Sequence, residues 1–250
     1  LLRFALEVDP GVVVPFLLLT PNGANGKSPA VLLVAQHGKS AFLKQRGDAI
    51  AAFLKAGVAV CLIDVRGTGE TKAGDPAGRT SSRTSVSQTN LILGTPLIGA
   101  QLRDLRTVVR WLQKRDDIDG QKLAVWGDSF APPNADGVSG KVPHDAPNPP
   151  TVGEPGAALL AQLAALFEPG VRACYTRGGL KGFDSICTSP YPLVPHDAIV
   201  PGAATVAVGV VLPGGVSRKD ESPIDGENKA SGPAAVSPTD AVAWVLKALK

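Results

Sequence analysis

Short apolar runs alternate with amphipathic segments along the first half of the chain. The wholly apolar runs at residues 30–35 and 58–63 are typical of strands that a parallel sheet buries on both faces. Between them, residues 46–56 carry their apolar side chains on one helical face and end before Gly57, a favourable residue after a helix C-terminus. This order predicts a strand, a helix and a second strand parallel to the first.

A second unit of the same kind follows. A long polar loop is expected up to about Asn90, after which Thr95 and Pro96 predict a helix start with Thr as N-cap and Pro in the first turn. Apolar residues then recur at steps of three and four as far as Leu112. The helix leads into a strand run that begins at Lys122.

The second half of the chain is less regular. It predicts a helix at residues 157–168, strands at 171–176 and 205–212, and a last helix that begins at Ser237 and Pro238. The acids Asp220, Glu221 and Asp225 are expected to follow the strand at 205–212. Strands that alternate with helices in this way predict an α/β domain with a doubly wound, mostly parallel sheet.

Composition narrows the class of protein. The 250 residues suit a single domain, and the net charge of +3 comes from interspersed acids and bases without a basic stripe, so nucleic-acid binding has little support. No apolar run approaches the ~20 residues of a membrane span. Cys61, Cys174 and Cys187 are predicted to be buried thiols, since they are odd in number and lie in or near apolar strands. No zinc-ligand spacing is present.

The strand run from Lys122 ends in a pentad that contains a candidate catalytic serine, Gly127-Asp128-Ser129-Phe130-Ala131. The pentad differs by one methyl group from G-x-S-x-G, the nucleophile elbow, in which a strained turn between strand and helix presents a serine hydroxyl. Taken alone, a serine between small residues is more often an ordinary turn residue. The surrounding segments favour the functional interpretation.

Taken in order, these segments resemble the first half of an α/β-hydrolase: a strand followed by His37 and Gly38, then a helix, a strand ending at Asp64, Arg66, Gly67 and Gly69, and the Ser129 strand. The opening residues are similar to the first strands of esterases of the acetyl xylan esterase and dienelactone hydrolase type. The segments around residues 175–179, 194–197 and 225–228 resemble parts of bacterial esterase-like proteins. The resemblance implies an α/β-hydrolase fold over residues 1–250, as one domain or as part of a larger protein, with or without the last strand.

The stretch after Ser129 departs from that pattern. Pro132 and Pro133 follow the elbow directly, and a Pro- and Gly-rich segment runs on to Gly156, where an α/β-hydrolase normally begins a helix. Two interpretations remain open. The insertion is a surface loop, or it is a lid over the pocket.

Ester hydrolysis through a serine needs a nucleophile, a base and hydrogen-bond donors for the oxyanion. Ser129 is the predicted nucleophile. The resemblance implies that the Phe130 amide and an amide of the loop after residue 35, that of Gly38 or Lys39, supply the donors, with His37 shaping that loop.

The base is harder to assign because the chain has three histidines and none follows Asp225. In the fold that the resemblance implies, the order is serine, acid, histidine, which His196 would break. His196 is nevertheless the best candidate, because its loop should open at the same sheet edge as Ser129 and Asp197 follows it. Asp197 or Asp225 would orient its ring. His144 is most simply a solvated loop residue, and His196 could instead be structural or contact substrate.

The sequence therefore predicts a serine esterase for small acyl esters, of the acetyl type and carried on carbohydrate if the resemblance extends to substrate. No cofactor or metal is expected, and neither a nucleic acid nor a membrane is an expected partner. The chain begins at Leu1 without a charged leader, which leaves the compartment open. The alternative is a non-catalytic hydrolase-like binding module of a larger protein that has lost its base.

Overall fold

The computed structural model describes residues 1–23, 26–72, 82–130, 153–180, 212–221 and 238–250. Seven strands lie within these ranges: β1 Leu2–Asp9, β2 Val12–Leu19, β3 Ser28–Ala35, β4 Ala59–Ile63, β5 Ile118–Asp128, β6 Val171–Arg177 and β7 Ser217–Glu221. The helices are α1 Ser40–Gln45, α2 Gly47–Lys55, α3 Ser82–Ile92, α4 Leu97–Gln113, α5 Gly156–Phe167 and α6 Pro238–Ala248, with a short 3-10 turn at Gly69–Thr71.

All seven described strands form one sheet in the order β1-β2-β4-β3-β5-β6-β7. β2 is antiparallel to both β1 and β4, whereas β3, β4, β5, β6 and β7 are mutually parallel. β5 therefore lies inside the sheet, between β3 and β6. Because parallel strands end at the same edge, the loops after β3, β4, β5 and β6 all begin there.

Helices cover both faces of this sheet, as the buried apolar strands require. α4 and α5 pack on one face, where their apolar residues join alternate residues of β3, β4 and β5 in one cluster. α1, α2 and α6 pack on the other face around Phe42, Phe53 and Trp126. These two layers confirm the predicted doubly wound α/β architecture.

Most of the predicted elements are confirmed, with small differences at their ends. α4 begins at Leu97 with Pro96 as its N-cap, so the predicted N-cap Thr95 lies one residue outside; its side chain donates to the Asn90 carbonyl. Of the strand predicted at 205–212, Leu212 is not in a strand and the rest lies outside the described residues.

Two predictions were wrong. The polar loop expected up to Asn90 contains helix α3, whose residues are mostly polar and gave no apolar stripe. The segment that holds Asp220 and Glu221 was expected to follow a strand, yet it is strand β7 itself, parallel to β6. Its sequence, SRKDE, is charged because β7 pairs with one neighbour among the described strands and is only partly buried.

Candidate active site

Ser129 follows the last residue of β5, at the edge where the parallel strands end. Its amide donates to the Arg177 carbonyl at 3.0 Å, and the Gln36 amide donates to the Asp128 carbonyl at 3.1 Å. These bonds hold the elbow between the ends of β3 and β6. The solvent-exposed fraction of Ser129 is 6%, so the residue is buried.

The strained residue of this turn is Phe130, one position after the serine. Its φ is +56°, which makes it the one non-glycine residue with a left-handed backbone among those that the structure describes. Its ring meets the Phe42 ring edge-on at 5.0 Å, and the Arg46 guanidinium lies 5.1 Å from its centroid. These two contacts of the ring offset the cost of the backbone conformation.

Gly127 allows helix α5 to pack directly against the elbow strand. A Cβ at this position would overlap the Ala157 carbonyl group. The helix start is fixed by Gln36, whose side-chain oxygen accepts the Ala157 amide at 2.9 Å while its side-chain nitrogen donates to Glu154 at 2.9 Å. Helix α5 therefore packs against the strand that leads to Ser129, although residues 131–155 lie between the elbow and the helix. Those from 131 to 152, where the loop or lid was predicted, lie outside the described residues.

Asp128, the residue before the nucleophile, is fully buried. Its Oδ1 accepts the Phe130 amide at 2.8 Å, and Arg46 Nη2 lies 3.4 Å from its Oδ2. Burial raises the pKa of this carboxyl, against the lowering effect of Arg46, the Phe130 amide and Arg177. The amide predicted as an oxyanion donor is therefore already bound to a carboxylate.

A second buried carboxylate holds the loop after β3. Asp64 Oδ1 accepts the Lys39 amide at 2.6 Å, while Oδ2 accepts Lys39 Nζ at 2.6 Å and the Glu70 amide at 2.9 Å. A Cβ on Gly69, whose φ is +49°, would overlap this carboxylate. The residues Asp64 and Gly69 of the sequence motif thus serve to close the loops after β3 and β4 onto each other.

This arrangement excludes Lys39 as the catalytic base. Burial alone lowers the pKa of Lys39, but its hydrogen bonds to Asp64 and Glu70 outweigh that effect and raise the pKa above its ordinary value. The ammonium group is therefore charged at neutral pH and has no lone pair to accept the serine proton.

The other predicted site residues divide into two groups. Gly38 is buried and donates its amide to the Ala35 carbonyl at 3.2 Å, and His37 is exposed at the same turn. His144, His196, Asp197 and Asp225 lie outside the described residues. The structure thus brings together the predicted nucleophile and the predicted donor loop.

Glu221 is a carboxylate at this edge for which no role was predicted. It ends β7 with 7% exposure, and its carbonyl accepts the Gly178 amide at 3.0 Å. Asp220, one residue earlier, is bound by the Thr176 hydroxyl and the Arg218 guanidinium. The sequence does show Glu221 among the late acids. The strand was predicted earlier in the chain, at residues 205–212, so Glu221 was not recognised as the last residue of a strand.

Three further properties concern the described ranges as a whole. No group of three or more His, Cys, Asp or Glu side chains within them could hold a metal ion. No helix in the same ranges is long and apolar enough to cross a membrane. Cys61 and Cys174 are buried free thiols, as predicted, while Cys187 lies outside these ranges.

No protein-family model matches the chain, and no curated protein does so. Solved structures do. One assigned as an acetyl xylan esterase from Bacteroides fragilis is 16% identical over 81% of this chain and 53% of its own, with a TM-score of 0.56. This chain thus spans about half the length of that protein.

Two other solved structures are matched along almost the whole chain. A 2,6-dihydroxy-pseudo-oxynicotine hydrolase is 16% identical over 99% of this chain and 67% of its own, with a TM-score of 0.55. A cold-adapted esterase from an Arctic intertidal metagenomic library is 14% identical over 99% and 93%, with a TM-score of 0.53. Together with the strand order and the serine at the end of β5, these likenesses show that the chain has the α/β-hydrolase fold.

Proposed function

We propose that this protein is a serine esterase that hydrolyses small acyl esters through an acyl-enzyme at Ser129. One observation carries the proposal. Ser129 directly follows β5 inside a parallel sheet, and the turn that it begins is strained, with Phe130 in the left-handed region, as expected for a strained turn that presents a nucleophile at the end of a strand.

In the proposed reaction, Ser129 Oγ attacks the ester carbonyl and passes its proton to His196, which then protonates the leaving alcohol. Water attacks the acyl-enzyme in the second half of the reaction and releases the acid. Asp197 or Asp225 would orient the imidazole, and Glu221 is a third candidate because it ends β7 at the edge that holds Ser129.

The proposed oxyanion donors are the amides of Phe130 and of Gly38 or Lys39. The Phe130 and Lys39 amides donate to Asp128 and Asp64 in the structure, and the Gly38 amide donates to Ala35. Stabilisation of the tetrahedral intermediate therefore requires at least one of these amides to turn from its present acceptor to the substrate oxygen.

An acetyl ester on carbohydrate is the substrate class that the resemblance suggests. It is supported by the fold likeness to the Bacteroides fragilis protein, which is assigned as an acetyl xylan esterase. The predicted lid after Ser129 would favour short acyl chains, because a covered pocket limits the length of the acyl group it accepts.

The test is hydrolysis of p-nitrophenyl esters from acetyl to decanoyl. We expect the acetyl ester to give the highest kcat/KM, and we expect Ser129→Ala to abolish turnover. His196→Ala is expected to lower kcat/KM by a factor on the order of 10³, and the wild-type value should fall at low pH as the imidazole is protonated. A rate that rises steadily toward decanoyl would refute the small-acyl proposal.

The second candidate is a non-catalytic binding module. It is favoured by the engaged amides, because two buried carboxylates occupy N–H groups that an active oxyanion hole would aim at substrate. A folded protein that hydrolyses no ester of the series would support the module instead of the esterase.

A further inference from the structure

Strand β1 forms one edge of the described sheet. It pairs with β2 on one side, and no other described strand pairs with it on the outer side. β1 is eight residues long and contains no proline, so its backbone is suited to pair with a further strand. An edge of this kind is a template for another chain.

The two faces of β1 differ in polarity. Phe4 and Leu6 are partly buried and pack against the apolar cluster that includes α4 and α5. Arg3, Ala5 and Glu7 alternate with them and are exposed on the other face. A strand that paired with β1 would therefore need apolar residues on one face and groups that accommodate one positive and one negative charge on the other.

β1 itself meets this requirement, because its charges are placed symmetrically about Ala5. Directly opposite residues of two antiparallel strands lie on the same face of a sheet. A two-fold axis at Ala5 would place Arg3 of each copy opposite Glu7 of the other copy. The same axis would place Phe4 of each copy opposite Leu6 of the other on the apolar face. Both kinds of pair stabilise a sheet.

Neighbouring registers do not match the charges in this way. A shift of the axis by one residue in either direction places one charged side chain opposite Ala5. The other charge then lies opposite Leu1 or Asp9, and Asp9 already binds Arg66 and Arg103 of its own chain. The axis at Ala5 thus pairs both charges, whereas its neighbours pair neither charge with a free partner.

We propose that β1 is an interface between two copies of this chain, which pair antiparallel about an axis at Ala5 and join their sheets into one. The interface is separate from the candidate active site, because β2, β4 and β3 lie between β1 and β5. A single pair of strands buries less surface than the interface of a permanent dimer. We therefore expect a reversible dimer with a dissociation constant in the micromolar range.

The first test is charge reversal, with the dissociation constant measured by sedimentation velocity over a wide range of protein concentration. Arg3→Glu should raise the constant at least about tenfold, because it places like charges opposite each other on both sides of the axis. Glu7→Arg should act in the same direction for the same reason. Arg3→Glu combined with Glu7→Arg should restore the wild-type constant, because the same pairs then form with their charges exchanged.

The combined variant also accounts for a contact within the chain. Glu7 Oε1 accepts the Gly11 amide at 2.8 Å in the turn between β1 and β2, and Glu7→Arg removes that bond. The combined variant lacks the bond as well, so a restored dimer would report the charges between the strands. If the combined variant dimerises as weakly as the single variants, the proposed pairing is wrong.

Arg172→Glu is the matched control for Arg3→Glu. Arg172 is also an exposed arginine on a strand, and it donates to the Gln121 carbonyl at 3.2 Å on β6, on the far side of the sheet from β1. Its substitution changes the net charge equally and should leave the dissociation constant unchanged. A folded wild-type protein that stays monomeric at every concentration, or a dimer that Arg3→Glu does not weaken, would overturn the interface.

The second test is a cross-link at the axis. Opposite Cα atoms of antiparallel strands lie about 4.5–5.5 Å apart, within the range of about 4.4–6.8 Å that a disulfide spans. Ala5→Cys should therefore give a disulfide-linked dimer on mild oxidation, detected on a gel without reductant. Val13→Cys is the control, because Val13 is 49% exposed but lies on β2, opposite Glu7. The two copies of Val13 would be three strand spacings of about 4.8 Å apart. No dimer from Ala5→Cys, or equal amounts from both variants, would refute the proposed axis.

Discussion

Two buried aspartates lie at the same sheet edge, at the ends of two strands that are separated by β3, and hold their loops in different ways. Asp64, which follows β4, accepts three hydrogen bonds of 2.6–2.9 Å, and one of them comes from the buried ammonium of Lys39. Asp128, which ends β5, accepts one amide at 2.8 Å and faces the guanidinium of Arg46 at 3.4 Å.

The difference indicates that the Asp64 region is rigid and that the Asp128 region can rearrange. A fully paired buried carboxylate is costly to disturb, so the Asp64 region should move little when substrate binds. A buried carboxylate with one short hydrogen bond and a distant cation is held less firmly, so the Phe130 amide is the better candidate to turn toward an oxyanion. The Asp128 region also lies beside Ser129, where such a change would act.

The largest expected effect is on stability and comes from Asp64→Ala. Among the described residues, removal of this carboxylate leaves the buried Lys39 with Glu70 as its remaining ion-pair partner and leaves the amides of Lys39 and Glu70 without acceptors. We expect a loss of about 3–5 kcal/mol in the free energy of unfolding, measured with urea. Asp128→Ala is the matched variant and should cost clearly less. Equal losses would mean that the Asp64 region is no more firmly held than the Asp128 region.

Gly69→Ala tests the rigidity of the Asp64 region at the backbone that packs against the carboxylate. The added methyl group would overlap the Asp64 carboxylate, and the alanine would have to keep a left-handed backbone. We therefore expect a loss of about 2–4 kcal/mol in the free energy of unfolding. Gly94→Ala is the control, because Gly94 has a similar φ of +71° but open space around it. It should cost about 1 kcal/mol, from the backbone alone. A similar cost at both positions would mean that the packing against Asp64 contributes nothing.

The smallest effect concerns the pH dependence of Asp128. Burial places the pKa of its carboxyl above the ordinary value of 3.8, so the folded state binds the proton more tightly than the unfolded state does. The stability from this group is complete below pH 3.8 and is lost as the pH rises through the raised pKa. Asp128→Asn should therefore gain stability relative to wild type as the pH rises above about 4.

The measurement is urea unfolding of both proteins between pH 3.5 and pH 7. Asn can keep the Oδ1 acceptor for the Phe130 amide, so the comparison isolates the charge. If wild type gains stability relative to Asp128→Asn over that interval, Arg46 and Arg177 outweigh burial and the account of this carboxyl is wrong.

The sequence predicted the parts of this fold in which apolar patterning reflects burial. β3, β4 and β5 are apolar because helices cover both faces of the sheet, and α4 has a clear apolar stripe. α3 and β7 escaped prediction because little of either is buried in the core, so tertiary pairing rather than patterning determines their structure.

The candidate site was predictable only in part for a related reason. A motif identifies Ser129, because the turn imposes small residues at fixed spacing. The partners of Asp64 and Asp128 lie in the loop after β3 and at the junction of α1 and α2, and no local pattern reports a bond between residues far apart in the chain.

Covalent labelling is the most direct test of Ser129 as the nucleophile. The wild-type protein is treated with a fluorophosphonate, and the adduct is located by mass spectrometry of its peptides, with Ser129→Ala as the control. Since removal of one hydroxyl opens no large cavity, that variant should unfold like wild type. We expect a single adduct on Ser129 and none in the variant. An adduct on another serine, or none in a folded wild-type protein, would contradict it.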